Sequence, residues 1–180
     1  MTRIVVLGVL VMVAGAVVFL SPGQPLGSTA AQPASDPFLI TPGVGIGKVK
    51  VGMPIGTVIT ILGAPKNICR GRGEGNINVY AWVAMTDQCL PLASGTGLLV
   101  YTNPAGTVTH VTAYKDARYH LDNGLRVGSA ESLIRDRMRS DPVIAMGLDG
   151  PAIIQYSALG ITFTDYSIAV YTPGTCQGLC

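Results

Sequence analysis

Few residues of this chain have side chains suited to chemistry, and they are scattered. There are two histidines, His110 and His120, and Asp116 and Asp122 fall in the same stretch. Acid–base catalysis or metal binding needs such groups to converge on one point. An exported metal-dependent enzyme built on His110, His120 and the nearby aspartates is therefore one reading. The setting argues against it. His110 lies in a strand pattern, and His120 lies in the polar connector Tyr114-Lys115-Asp116-Ala117-Arg118-Tyr119-His120. The sequence offers no carboxylate pair on a helix face and no serine activated by a neighbouring base. The chain is expected not to be an enzyme, with no catalytic residue, cofactor site or metal site.

Four cysteines, Cys69, Cys89, Cys176 and Cys180, follow an apolar start. In an exported chain they predict disulfides. Three pairings are open, and Cys69–Cys89 with Cys176–Cys180 is the expectation: the first staples a hairpin-like excursion, the second locks the tail. Redox pairs favour C-x-x-C at a helix start, unlike the C-x3-C tail, and the histidines are not at zinc-ligand spacing from these cysteines. Cys69-Arg70-Gly71-Arg72-Gly73-Glu74-Gly75 reads as a Gly-rich loop. No Lys-Ser/Thr and no helix follow it, so it is not a phosphate loop. Arg70, Arg72 and Glu74 are its candidate anion- or partner-contacting residues.

A second constellation is aromatic. Tyr80 and Trp82 alternate with Val79, Ala81 and Val83, and in a strand alternate residues face opposite sides. If the small apolar residues face the core, Tyr80 and Trp82 face outward, joined by Leu99, Tyr101 and Tyr171. Such a surface suits a protein partner, since Tyr and Trp dominate interface energetics.

The elements that must position these residues show an internal repeat. Val51 aligns with Val127, Gly52 with Gly128, Val58 with Ile134 and Leu62 with Met138. Each copy runs from an extended stretch through a Gly turn into a short helix. Ile55, Val58, Ile59 and Leu62 form one apolar stripe; Ala130, Ile134 and Met138 form the other. Ser129 is the expected N-cap of the second helix, and Pro65 and Pro142 end the two helices. Three strands are expected after each: about 76–85, 97–102 and 108–114, then about 152–157, 160–165 and 167–172. The fold expected is α+β, two tandem helix-plus-antiparallel-meander repeats in a two-layer helix-on-sheet domain.

Ahead of this, Met1-Thr2-Arg3, the apolar run Ile4–Leu20, the breaker Ser21-Pro22-Gly23 and the small residues at 28–31 read as a secretory signal or an uncleaved anchor over 1–31. Residues 32–43 read as a Pro-rich linker, 44–120 as repeat 1, 121–175 as repeat 2 and 176–180 as a disulfide tail. Charged residues are 12% of the chain and the net charge is +2. With no basic stripe, nucleic-acid binding has no electrostatic basis.

The run Gly52-Met53-Pro54 … Leu62-Gly63-Ala64-Pro65, with Gly160-Ile161-Thr162-Phe163 and Ser167-Ile168-Ala169-Val170-Tyr171 later, resembles the BLIP-like and SmpA/OmlA-like exported bacterial proteins, which include β-lactamase inhibitor proteins. The resemblance spans about residues 44–174. It implies helices on one sheet face and protein contacts on the other. The contact loops of the inhibitors have no residue-by-residue match, so inhibition of a β-lactamase is not implied. The expected function is an extracytoplasmic protein-interaction module, secreted or facing the cell envelope, working through the open sheet face. The alternative is a small-ligand or glycan binder with a groove between the repeats.

Overall fold

Runs of Val, Ile, Thr and Tyr with period-two alternation, broken by Gly and Asn turns, make this chain predominantly a sheet former. The computed structural model describes residues 36–72, 76–139, 143–145 and 153–175. The expected signal over 1–31 and the tail with Cys176 and Cys180 lie outside these residues. Among those described, there are eleven strands and two α-helices of eight residues each. A small antiparallel sheet comes first: β1 (Ile40–Thr41), β2 (Gly45–Ile46) and β3 (Val49–Lys50). Then come α1 (Ile55–Leu62), β4 (Asn67–Arg72), β5 (Ile77–Ala81), β6 (Gly97–Thr102) and β7 (Val108–Tyr114). After α2 (Glu131–Met138) the chain forms β8 (Val143–Ala145), β9 (Ile153–Tyr156), a 3-10 turn at Ser157–Leu159, β10 (Ile161–Thr164) and β11 (Ser167–Tyr171).

The eight later strands form one antiparallel sheet in the order β4-β5-β6-β7-β11-β10-β9-β8. Its central seam joins β7 to β11, with Val111 opposite Val170 and His110 opposite Tyr171. This corrects the expected fold class. The protein is mostly β, not a pair of helix-plus-three-strand meanders: four strands follow each helix, and a separate three-stranded sheet precedes the first. Each helix is only two turns, about 12 Å long, whereas eight strands span roughly 34 Å. Two such helices cannot form a layer over the sheet by themselves.

Within the large sheet, two strands escaped the periodicity argument. Asn67–Arg72 is a strand where a Gly-rich loop was expected, because Gly71 takes a left-handed φ of 64° at a register shift that lets pairing run from Cys69 to Arg72. Val143–Ala145 pairs with Ile153–Ile154 and Gln155 just beyond the expected stop at Pro142.

The larger core lies on the helix side of the sheet. Leu98, Val100, Val111, Ala113, Ile154, Tyr156, Ile161, Phe163, Ile168 and Val170 are buried there with Val58 of α1 and Ile134 of α2. The small sheet contributes Ile40, Ile46 and Val49 to the same cluster. The expected linker over 32–43 is thus too long: Ile40 is a core residue, its N–H bonds the His120 carbonyl, and the Phe38 carbonyl accepts from His120 N–H. Arg118 holds Asp116 through both carboxylate oxygens and lies 4.7 Å from the Phe38 ring, which also meets Tyr119 edge-on. The N-cap of α2 is Ala130, not Ser129. The Ser129 hydroxyl instead accepts from Arg126 N–H and closes the turn before the helix.

Candidate interaction face

Register alone defines the other face of the large sheet. Val79, Tyr101, His110 and Tyr171 sit side by side across β5, β6, β7 and β11. The next row is Ala81, Leu99, Thr112, Ala169, Thr162 and Gln155. The neighbours in phase with the buried Val111 and Ala113 face the helices, so these residues face away from them.

Part of this face is closed by a second core. Cys69, Val79, Ala81, Val83 and Leu99 are buried together, with Met85, Cys89, Tyr101 and Tyr114 packed against them. The segment between β5 and β6 is tied down here by the Cys69–Cys89 disulfide. Its own bonds shape it: Met85 bridges Pro91, Thr86 N–H bonds the Leu90 carbonyl and Leu92 N–H bonds the Ala84 carbonyl. Lys115 Nζ donates to the Ala93 carbonyl at 2.9 Å and pins the far end.

That arrangement corrects the expected aromatic surface. Tyr80 and Trp82 lie on the helix side, packed against the larger core. The Trp82 indole N–H donates to the Gly63 carbonyl at 3.1 Å, just past the C-terminus of α1. The phase is inverted because both faces of β5 are covered. The narrow space under the stapled segment admits Val and Ala, and the gap beside a two-turn helix takes the large rings. Leu99, Tyr101 and Tyr171 do lie on the face turned from the helices, but Leu99 and Tyr171 are buried. The Tyr171 hydroxyl accepts from Thr162 Oγ1 at 3.2 Å and donates to the Ile161 carbonyl.

What remains partly open is a short aromatic row. Tyr101 meets His110 edge-on at 5.9 Å, and His110 meets Tyr171 at 5.8 Å. His110 Nδ1 is 2.9 Å from Thr109 Oγ1. Burial pushes the His110 imidazole below the ordinary histidine range, which favours the neutral ring near pH 7, and burial raises the Tyr101 phenol. Further along, Tyr114 and Tyr166 meet edge-on at 5.5 Å, with Lys115 Nζ 5.6 and 5.9 Å from the two rings. Sequence reasoning missed Tyr114 and Tyr166. The signal was available for Tyr114, which shares the phase of His110 and Thr112.

The polar groups suspected of chemistry do not form one site. His110 lies between two tyrosine rings on the sheet, whereas His120 faces Asp36 at 3.4 Å and its Nδ1 contacts the Arg118 carbonyl at 2.8 Å. Arg118 holds the Asp116 carboxyl below its usual range. Asp122 is exposed. Among the described residues no three His, Cys, Asp or Glu cluster as a metal would need. Of the expected polar loop, Arg70 is exposed on β4, the Arg72 backbone pairs with Ile77, and Glu74 and the side chain of Arg72 are outside what is described. The pocket between α2 and the sheet, lined by Ile134, Ile154 and Phe163, holds about 40 Å³, little more than one water, and lies within the expected repeat 2, not in the groove expected between the repeats. Larger grooves run along the surface at Asn123, Asp136, Arg137 and Arg139 and at Arg118, His120 and Arg126.

No family model matches the chain, and neither a curated protein nor a solved structure matches it. The Cys69–Cys89 disulfide is compatible with an oxidising compartment outside the cytoplasm. No helix among the described residues is long and apolar enough to cross a membrane.

Proposed function

We propose that this chain is an exported protein-interaction module, secreted or facing the cell envelope, that meets a protein partner through the sheet face turned away from its helices. The contact surface centres on Tyr101 and His110 and extends to Tyr114 and Tyr166. The observation that carries the reading is the partly open aromatic row on a face that no described helix covers. Rigid rings with neutral polar tips make large contact area at little entropic cost. The signal-like N-terminus and the disulfide support the location, and the resemblance of Gly52-Met53-Pro54 and Leu62-Gly63-Ala64-Pro65 to BLIP-like and SmpA/OmlA-like proteins supports the interaction role.

A photo-crosslinking residue placed at Tyr101, and separately at Arg135 on the outer side of α2, tests this in the native host. One discrete adduct is expected from position 101 and none from 135, and His110→Ala should weaken it. The same adducts from both positions, or none from 101, would overturn the proposal.

A further inference from the structure

An asparagine side chain can react with its own main chain, when the nitrogen of the following residue attacks the side-chain amide carbon. The following residue decides how readily this happens. Asn67, Asn76 and Asn78 precede β-branched residues, which crowd that nitrogen, and Asn103 precedes a proline, which has no N–H. Asn123 alone precedes a glycine, Gly124, with no side chain to shield the nitrogen or stiffen the backbone.

Asn123 and Gly124 lie in a short hairpin loop ahead of α2. Leu121 N–H bonds the Leu125 carbonyl, Gly124 N–H bonds the Leu121 carbonyl at 3.0 Å, and Gly124 takes a left-handed φ of 80°. That is the pattern of a loop closed by a glycine bulge. Asp122, Asn123 and Gly124 are exposed to water, while Leu121 and Leu125 on either side are core residues. The closed loop engages both reacting groups. The Gly124 N–H is spent on the Leu121 carbonyl, and Asn123 Oδ1 accepts from Leu125 N–H at 3.1 Å. Helix α2 holds the loop from outside. Arg137 Nη1 donates to the main-chain carbonyl of Asn123, and a Cβ at position 124 would stand 2.8 Å from the same nitrogen. The guanidinium therefore lies across the Asn123–Gly124 peptide.

We propose that Asn123 is a self-modification site, converted to aspartate and isoaspartate when its loop opens, and that Arg137 is the latch on that opening. In the open loop the Gly124 nitrogen gives up its proton to water and bonds to Asn123 Cγ. The Cγ–Nδ2 bond breaks, and Nδ2 takes up a proton and leaves as ammonia. Water then opens the cyclic imide. Attack at Cγ restores the normal main chain as aspartate, and attack at the main-chain carbonyl leaves the chain running through Cγ as isoaspartate. The net change is amide plus water to acid plus ammonia. The second product lengthens the main chain between Leu121 and Leu125, so their pairing is lost and refolding does not restore it. The site involves neither Tyr101 nor His110, so it stands or falls apart from the open-face reading.

The test ages the full, disulfide-bonded chain at neutral pH, folded and in urea, and reads each asparagine by peptide mapping with mass spectrometry. The other four asparagine positions serve as internal controls. In urea Asn123 should convert before the others, and in the folded chain at least about tenfold more slowly, because conversion waits on local opening. Arg137→Leu should speed conversion in the folded chain about fivefold, the worth of one hydrogen bond, and leave the rate in urea unchanged. Arg137→Lys, which keeps one donor, should give a smaller rise in the same direction. Hydrogen exchange separates the latch from a general loss of stability: the Gly124 amide should quicken by the same factor as the conversion, and the Val111 amide should not. No conversion at Asn123 in urea, equal rates folded and unfolded, or a folded rate unmoved by Arg137→Leu would overturn the proposal.

Discussion

Removing the Cys69–Cys89 cross-link tests the account of the second core most directly. The two cysteines are 20 residues apart in sequence. Loop-closure entropy for a ring of that size amounts to about 3 kcal/mol of stabilisation, exerted on the unfolded chain. On the native side the segment keeps its other anchors: the Thr86–Leu90 turn, the Met85–Pro91 bridge and the Lys115–Ala93 bond. Cys69→Ala with Cys89→Ala should therefore leave the fold intact at 25 °C and lower its stability by about 3 kcal/mol, or roughly 10 °C in Tm for a domain of this size. Urea unfolding followed by far-UV and near-UV circular dichroism measures both. The native near-UV spectrum should persist, with Trp82 as its main reporter, because that ring sits on the opposite side of β5. A loss below about 1 kcal/mol would refute the loop-closure reasoning. A variant with no native near-UV signal would refute the claim that main-chain bonds shape the segment on their own.

Three further outcomes follow from single contacts. Trp82→Phe keeps most of the packing but deletes the bond to the Gly63 carbonyl, so it should cost about 1 kcal/mol in urea unfolding; an unchanged midpoint would show that the bond contributes nothing. Burial lowers the folded His110 value, so the unfolded chain takes up the proton first. Stability is then full above the unfolded value near 6.5, falls as pH drops below it, and levels off once the folded ring also protonates. His110→Gln should flatten that part of the profile, and parallel profiles between pH 7.5 and 5 would refute it. The Tyr156 hydroxyl is buried with no hydrogen-bond partner among the described residues. Tyr156→Phe should thus be neutral or stabilise by up to about 1 kcal/mol, whereas a loss above that in thermal unfolding would reveal a partner.

Period-two alternation in β6, β7, β10 and β11 was legible because each strand has one strongly apolar side, such as Leu98 and Val100 or Ile168 and Val170. The helices over residues 55–62 and 131–138 were readable from the stripes ending at Leu62 and Met138. What failed was the assumption that one face of every strand meets water. β5 is covered on both sides, so Val79 and Ala81 against Tyr80 and Trp82 gives two apolar faces, and alternation cannot say which meets the helix. The smaller residues went to the disulfide side, a choice made by the segment after β5, which folds back and is tied to β4 through Cys89. β4 was hidden for a different reason: Gly71 and Gly73 look like loop chemistry, yet one glycine at a register shift suffices to let the pairing continue to Arg72. The fold class was misjudged through the same strand, together with β8 and the small sheet β1–β3. Of the candidate surface, Tyr101 lay where alternation put it; Tyr80 and Trp82 did not.

The seam between β7 and β11 has a consequence for biosynthesis. Strand β11 leaves the ribosome some fifty residues after β7, yet it is the hydrogen-bonding neighbour of β7. Until β11 arrives, β7 is itself an unprotected border carrying Val111 and Ala113, so a nascent chain cut short before Ser167 holds half a platform with a sticky rim.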